Sequence, residues 1–247
     1  MSLNLKPISE QVFFITGASS GVGLAVVRLA VEKGARVFMV DADENALQAI
    51  QDEMRSKSLP TAYAVAVVSE RDQLQVAADQ CIATFGTIDT WVNNASVSLY
   101  ARLLETDDSE AKSLFDTNFW GVVNGCAVAA GMLKHSGGAI INLGGSCNDK
   151  ALPIQGIYCA SKEAVKAFTN SFRAELKEEN YPVSVTLVLP ETSDRVYLPM
   201  VVAESIIKCA SEVTKESVIK MKFVMPNFRK YLPRRKPEAQ SSQTPLN

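Results

Sequence analysis

Short apolar runs alternate along this chain with stretches whose apolar residues recur at helical spacing. Gln11–Thr16 is an apolar run stopped by Gly17, the pattern of a buried strand. Val22–Lys33 has helical spacing and stops at Gly34, and Ala35–Val40 is a second β-branched run closed by Asp41. The rhythm continues with a helix over Asp43–Lys57, a strand over Thr61–Val68, a helix over Arg71–Phe85 ended by Gly86, and a strand over Ile88–Asn93. Asp107–His135 reads as one long helical stretch with internal breaks at Gly121 and Gly125. Ala139–Leu143 is a strand, Gly156–Asn180 a helix, Val183–Leu189 a strand closed by Pro190, Pro199–Ser211 a helix and Ser217–Val224 a last strand. This alternation predicts right-handed βαβ units and a doubly wound α/β three-layer sandwich, with helices on both faces of a seven-stranded, mainly parallel sheet.

Composition narrows the picture. The chain has 247 residues, 47% of them hydrophobic, and no Pro/Gly/Ser-rich break inside residues 8–225, so one domain is expected. Pro237–Asn247 is polar and aperiodic and reads as a disordered tail, preceded by the basic cluster Arg229, Lys230, Arg234, Arg235 and Lys236. Lys plus Arg number 25 against 27 Asp plus Glu, which argues against a general nucleic-acid binder. No apolar run approaches a membrane span, and Met1–Glu10 lacks a signal-peptide pattern, so a cytoplasmic protein is expected. Cys81, Cys126, Cys147, Cys159 and Cys209 are scattered without a C-x-x-C pair and read as free thiols in a reducing compartment. A single histidine, His135, excludes a His-based metal cluster, and its place before Ser136-Gly137-Gly138 suggests a helix-end cap. No metal site is expected.

Three features carry chemistry. Thr16-Gly17-Ala18-Ser19-Ser20-Gly21-Val22-Gly23 joins the first strand to the first helix. Glycines there let the backbone approach a pyrophosphate, and the helix N-terminus offers free N–H groups to the anion. Asp41 ends the second strand, eighteen residues after Gly23. A carboxylate at that place accepts hydrogen bonds from ribose hydroxyls and repels a 2′-phosphate, which favours NAD over NADP. Tyr158 and Lys162 lie four apart, on one helix face. A phenol has a pKa of about 10, and a neighbouring ammonium favours the phenolate, so the pair reads as a tuned acid/base unit.

Thr16–Gly23, Asn93-Asn94-Ala95, Asn118 and Tyr158-x-x-x-Lys162 occur in an order and spacing that closely resemble the short-chain dehydrogenase/reductase family, from Val12 to about Val224. The resemblance implies a Rossmann-like fold, a nicotinamide cofactor and hydride transfer to or from an alcohol or carbonyl carbon. It implies a homodimer or homotetramer built on the helices Asp107–His135 and Gly156–Asn180. It makes Tyr158 the general acid/base. Lys162 then holds the nicotinamide ribose, Asn118 anchors a water in the proton relay, and Asn94 braces the central sheet. Carried over to this chain, the cofactor contacts are Gly17, Ser19, Ser20, Gly21, Val22, Gly23, Asp41, Val68, Asn94, Ala95, Tyr158, Lys162, Pro190 and Thr192.

The chain also departs from the family pattern. The family's substrate-binding serine stands about thirteen residues before the tyrosine, where this chain has Gly145, with Ser146 next to it as the candidate replacement. Losing such a donor can lower the rate by about 10²–10³. Ser96 stands where glycine is usual, Val67 where an aspartate often contacts the adenine amino group, and Glu191 where glycine follows Pro190. The connection from Pro190 to the helix near Val201 is short for a substrate lid, which suggests an open or bulky-substrate pocket. Two readings follow: an NAD-preferring oxidoreductase acting on a small-molecule alcohol or carbonyl, or a catalytically impaired nucleotide-binding sensor or partner subunit.

Overall fold

The first strand, β1 (Val12–Thr16), is buried along its whole length because both of its faces are covered. Period-two alternation sends Phe13 and Ile15 to one side and Val12 and Phe14 to the other. The structure, a computed structural model, describes residues 5–145, 153–190 and 199–219. On one side of the sheet, Phe13 and Ile15 meet α1 (Gly21–Glu32), α2 (Glu44–Ser56) and α7 (Pro199–Ser211). On the other, Phe14 meets α3 (Arg71–Phe85), α5 (Gly121–Leu133) and α6 (Gly156–Glu178). Phe14 stacks on Trp91 at 3.9 Å and on Phe38 at 5.8 Å between ring centroids, filling the centre of that layer.

The remaining strands are β2 (Arg36–Asp41), β3 (Thr61–Val65), β4 (Thr90–Asn93), β5 (Gly138–Leu143), β6 (Val183–Pro190) and β7 (Glu216–Ile219). They form one seven-stranded sheet in the order β3-β2-β1-β4-β5-β6-β7, and every pair is parallel. The chain winds outward from β1 to β3 and then returns to β4 on the other side of β1. That reversal opens a crevice at the carboxyl ends of β1 and β4, the place where this topology holds ligands.

Several elements differ from the sequence expectation. β3 stops at Val65 rather than Val68. Ala66 N–H donates to Asp41 O, and the chain then turns: Val67 N–H donates to Gln73 Oε1, and Glu70 N–H donates to Val67 O. The stretch from 107 to 135 is α4 (Asp108–Phe115), one π turn (Asp116–Trp120) and α5, with Gly125 inside α5 rather than at a break. The end of α5 is closed by Gly137, at φ +76°, whose N–H donates to Leu133 O, so His135 is not needed as the cap. Cys81, Cys126 and Cys209 are free, but Cys159 is disulfide-bonded, against the expectation that all five are free thiols. Scattered spacing in sequence does not exclude a pairing made by the fold. Burial pushes the Cys81 and Cys126 thiols up to about 12, so neither offers a thiolate at neutral pH. The expected strand beyond Ile219, the basic cluster and the tail lie outside the described residues.

A buried polar ladder ties the sheet to α5 and α6. Trp91 Nε1 donates to Asn93 Oδ1 at 2.7 Å, Asn93 Nδ2 to Asn142 Oδ1 at 2.8 Å, and Asn142 Nδ2 to Thr169 Oγ1 at 3.0 Å. Thr169 Oγ1 closes it on Val165 O at 2.7 Å. Gly125 is required here, because a Cβ on it would stand 2.0 Å from Asn93 Oδ1. Gly125→Ala should therefore lower stability by about 3 kcal/mol, through overpacking and a broken buried hydrogen-bond network. A denaturant midpoint unchanged from wild type would show that the ladder yields without loss.

Candidate active site

The glycine turn after β1 is built by close approach. Gly17 has φ +63°, and a Cβ on it would lie 2.6 Å from Ala95 Cα; a Cβ on Gly23 would lie 1.9 Å from Gly17 O. β4 supplies the brace. Asn94 Nδ2 donates to Thr16 O at 3.0 Å and Gly17 O at 2.9 Å, and the Asn94 and Ala95 N–H groups donate to Thr16 Oγ1. Ser20 is the N-cap of α1 by backbone geometry, but its hydroxyl makes no capping bond. The first-turn N–H groups are thus not taken by a side-chain cap, which suits an anion at the positive end of the helix.

Asp41 closes this end of the crevice. Its carboxylate accepts from Ser19 N–H at 3.0 Å, Ala42 N–H at 2.8 Å and Asp43 N–H at 3.3 Å. Held by three backbone donors, it keeps one orientation and has acceptor capacity left for hydroxyl donors. Gly17, Ser20, Gly21, Val22, Asp41, Val68, Asn94, Ala95, Tyr158, Lys162 and Pro190 all line one cleft of about 610 Å³. Of the expected contacts, Ser19 enters through its N–H on Asp41, and Gly23 lies buried beneath the turn. Ser146, Thr192 and Glu191 lie outside the described residues.

At the other end of the cleft stand Tyr158 and Lys162 on α6. Lys162 is 2% exposed, and its Nζ donates to Leu143 O at 3.3 Å and lies 5.8 Å from the centroid of the Tyr158 ring. Burial pulls its ammonium down from the ordinary lysine value of 10.5 to about 8. Gly145 packs on the lysine stem, since a Cβ there would come within 3.3 Å of Lys162 Cγ.

Asn118, fully buried in the π turn, grips two neighbours with its side chain. Its Oδ1 accepts from Val97 N–H at 2.8 Å, and its Nδ2 donates to Val97 O at 2.9 Å and Ser161 Oγ at 3.2 Å. Ser161 Oγ in turn donates to Tyr158 O at 2.7 Å. Asn118 thus connects the loop after β4 to the turn of α6 that carries Tyr158. Gly121 N–H donates to Asp116 O, closing the π turn, and Thr117 lines the cleft.

Sequence reasoning missed Ala42, Ala66, Val97, Ser98, Thr117, Leu143, Gly144 and Pro199 among the cleft residues. Leu143 and Gly144 could have been found from their place at the carboxyl end of a central strand. Ser161, fully buried and joining Asn118 to α6, has no sequence signal beyond its neighbours. Among the described residues, no group of three His, Cys, Asp or Glu could hold a metal ion, and no helix is long and apolar enough to cross a membrane.

A doubly wound parallel sheet, with a glycine turn on its first strand and a carboxylate at the end of its second, defines a Rossmann-like nucleotide-binding class. The family model for short chain dehydrogenases matches residues 11–196, and the chain belongs to that family of oxidoreductases. It is 41% identical over 197 residues to the uncharacterized oxidoreductase YxnA of Bacillus subtilis; the match covers 79% of this chain and 55% of that one. It is 32% identical over 231 residues to the 3-beta-hydroxysteroid dehydrogenase of Comamonas testosteroni, covering 92% and 86%. A metagenomic short-chain oxidoreductase solved in complex with NADP superposes with a TM-score of 0.75 at 26% identity, covering 90% of this chain and 99% of that one.

Proposed function

We propose that this protein transfers hydride between a nicotinamide dinucleotide and an alcohol or carbonyl carbon, with NAD preferred to NADP. One observation carries the reading: a single cleft runs from the glycine turn and Asp41 to a buried lysine beside a tyrosine ring. The bound dinucleotide supplies the hydride chemistry, and the protein binds, orients and moves the proton.

In this reading, Gly21, Val22 and Gly23 present the helix N-terminus to the pyrophosphate, and Asp41 accepts from the ribose hydroxyls. Lys162 keeps one donor on Leu143 and turns the rest of its ammonium to the second ribose and to the Tyr158 side of the cleft. An ammonium beside a phenol favours the phenolate. Tyr158 Oη then takes the alcohol proton in oxidation and returns one to the carbonyl oxygen in reduction. Asn118 holds the turn that carries Tyr158 and, in this reading, anchors the water of the proton relay. The relative named for a 3β-hydroxysteroid puts hydroxysteroids and ketosteroids in the first substrate panel. Assembly as a homodimer or homotetramer through α4, α5 and α6 accords with the half-exposed Trp120.

Cofactor choice rests on Asp41, although the metagenomic neighbour binds NADP. Two like charges about 4 Å apart near a surface repel by roughly 1–4 kcal/mol, so NADH should bind at least about tenfold tighter than NADPH. Asp41→Asn removes the charge and should bring the two dissociation constants together. Both are read by titrating the nicotinamide fluorescence. Equal affinities in the wild type would overturn the NAD preference. NADH binding without turnover of any alcohol or ketone would favour the impaired-sensor reading.

A further inference from the structure

The end of the cleft beyond Asp41 is built differently from the rest. The strand order sets a sequence of positions along the carboxyl edge: Tyr158 and Lys162 beside β5, the glycine turn on β1, Asp41 on β2, and the turn after β3 outermost. A dinucleotide placed as proposed above therefore puts its base against Ala42, Ala66, Val67 and Val68. All four side chains are apolar. Much of the backbone of that turn is bonded within the protein. Val67 N–H donates to Gln73 Oε1 at 2.9 Å, and Val67 O accepts from Glu70 N–H at 2.9 Å. Val68 O and Ser69 O both accept from Asn124 Nδ2, at 3.2 and 2.8 Å. Asn124 is buried on α5 and also faces Arg71, whose Nε donates to Asn124 Oδ1 at 3.3 Å. Gly121 lets α5 approach so closely that a Cβ on it would lie 2.6 Å from Val68 Cγ2. The turn is thus fixed from behind, with Val67 facing outward at 43% exposure.

We propose that this end of the cleft recognises the purine by its faces and not by the group at its 6-position, and that Val67 sets this tolerance. The inference rests on the nicotinamide-dinucleotide reading. A buried acceptor aimed at an exocyclic amino group discriminates strongly against an analogue that cannot donate to it. Here none of Ala42, Ala66, Val67 and Val68 has a side-chain acceptor, and the half-open edge leaves the 6-substituent to water. A 6-amino base and a 6-oxo base then meet the same apolar walls. The site takes adenine and hypoxanthine dinucleotides alike.

The test is a binding titration, followed by nicotinamide fluorescence, with NADH and with the reduced nicotinamide hypoxanthine dinucleotide. For the wild type, the two dissociation constants should agree within about threefold. Val67→Asp places a carboxylate acceptor at the base and should separate them by about tenfold or more in favour of NADH, the scale of one charge-assisted hydrogen bond. Val67→Asn, an acceptor without the charge, should move the ratio the same way by less. A wild type that already prefers NADH by more than about tenfold overturns the proposal. A ratio unmoved in both variants overturns the role of Val67. If the wild type binds neither dinucleotide, the underlying nicotinamide reading fails, a result distinct from tight binding with discrimination.

Discussion

Lys162→Met should abolish turnover and, at neutral pH, raise the melting temperature. The ammonium is 2% exposed, and burial brings its pKa to about 8 from 10.5. Below pH 8 both the folded and the unfolded chain carry the charge, and the folded state bears the full cost of burying it, roughly 3 kcal/mol. Between pH 8 and 10.5 the unfolded chain binds more protons than the folded one, so stability rises with pH across that window. Methionine has similar reach and no charge. It loses the bond to Leu143 O, which offsets part of the gain. The variant should melt several degrees above wild type at pH 7, and the gap should close as the pH approaches 10. Activity should fall at least about 100-fold, with weaker NADH binding. A variant that melts below wild type at pH 7 would show that the lysine supports the fold rather than straining it.

Tyr158→Phe should lower kcat by about 10²–10⁴ while leaving the dissociation constant of NADH within about threefold. Phenylalanine keeps the ring beside Lys162 and removes only the hydroxyl. A purely structural tyrosine would give the opposite pattern, altered stability with kcat preserved. Retained turnover would therefore remove Tyr158 from the proton transfer and leave Lys162 as the titratable group at that end.

The sheet was legible because each of its central strands is covered on both faces and so reads as an unbroken apolar run. Arg71–Phe85 was legible to the residue, because Gly86 at φ +82° ends it in a left-handed cap. The glycine turn, Asp41 and the Tyr158–Lys162 pair come together in one cleft because each sits at a chain junction that the strand order gathers at one edge. What escaped depends on bonds between distant residues. β3 ends early because Gln73 and Glu70 capture the backbone of Val67, and no periodicity encodes that. Gly125 looked like a helix break and is instead the space that Asn93 occupies. Asn118 was singled out for a relay water, and its side chain holds Val97 and Ser161, a task visible only when three separate segments meet.

The π turn at Asp116–Trp120 has a consequence for how this helix tolerates change. It holds one residue more than an α turn of the same rise, so it acts as a phase shifter between α4 and α5. Deleting one residue from it would restore an ordinary ladder and improve local hydrogen bonding. Drawing all five residues into an α ladder, with none deleted, would instead rotate everything downstream by about 100°, turning Gly121, Asn124 and Gly125 away from Val68, the β3 turn and Asn93. The least regular turn of this helical stretch is therefore the one that absorbs a single-residue deletion with α5 still in register, and substitutions on its exposed face, at Trp120, leave that register intact as well.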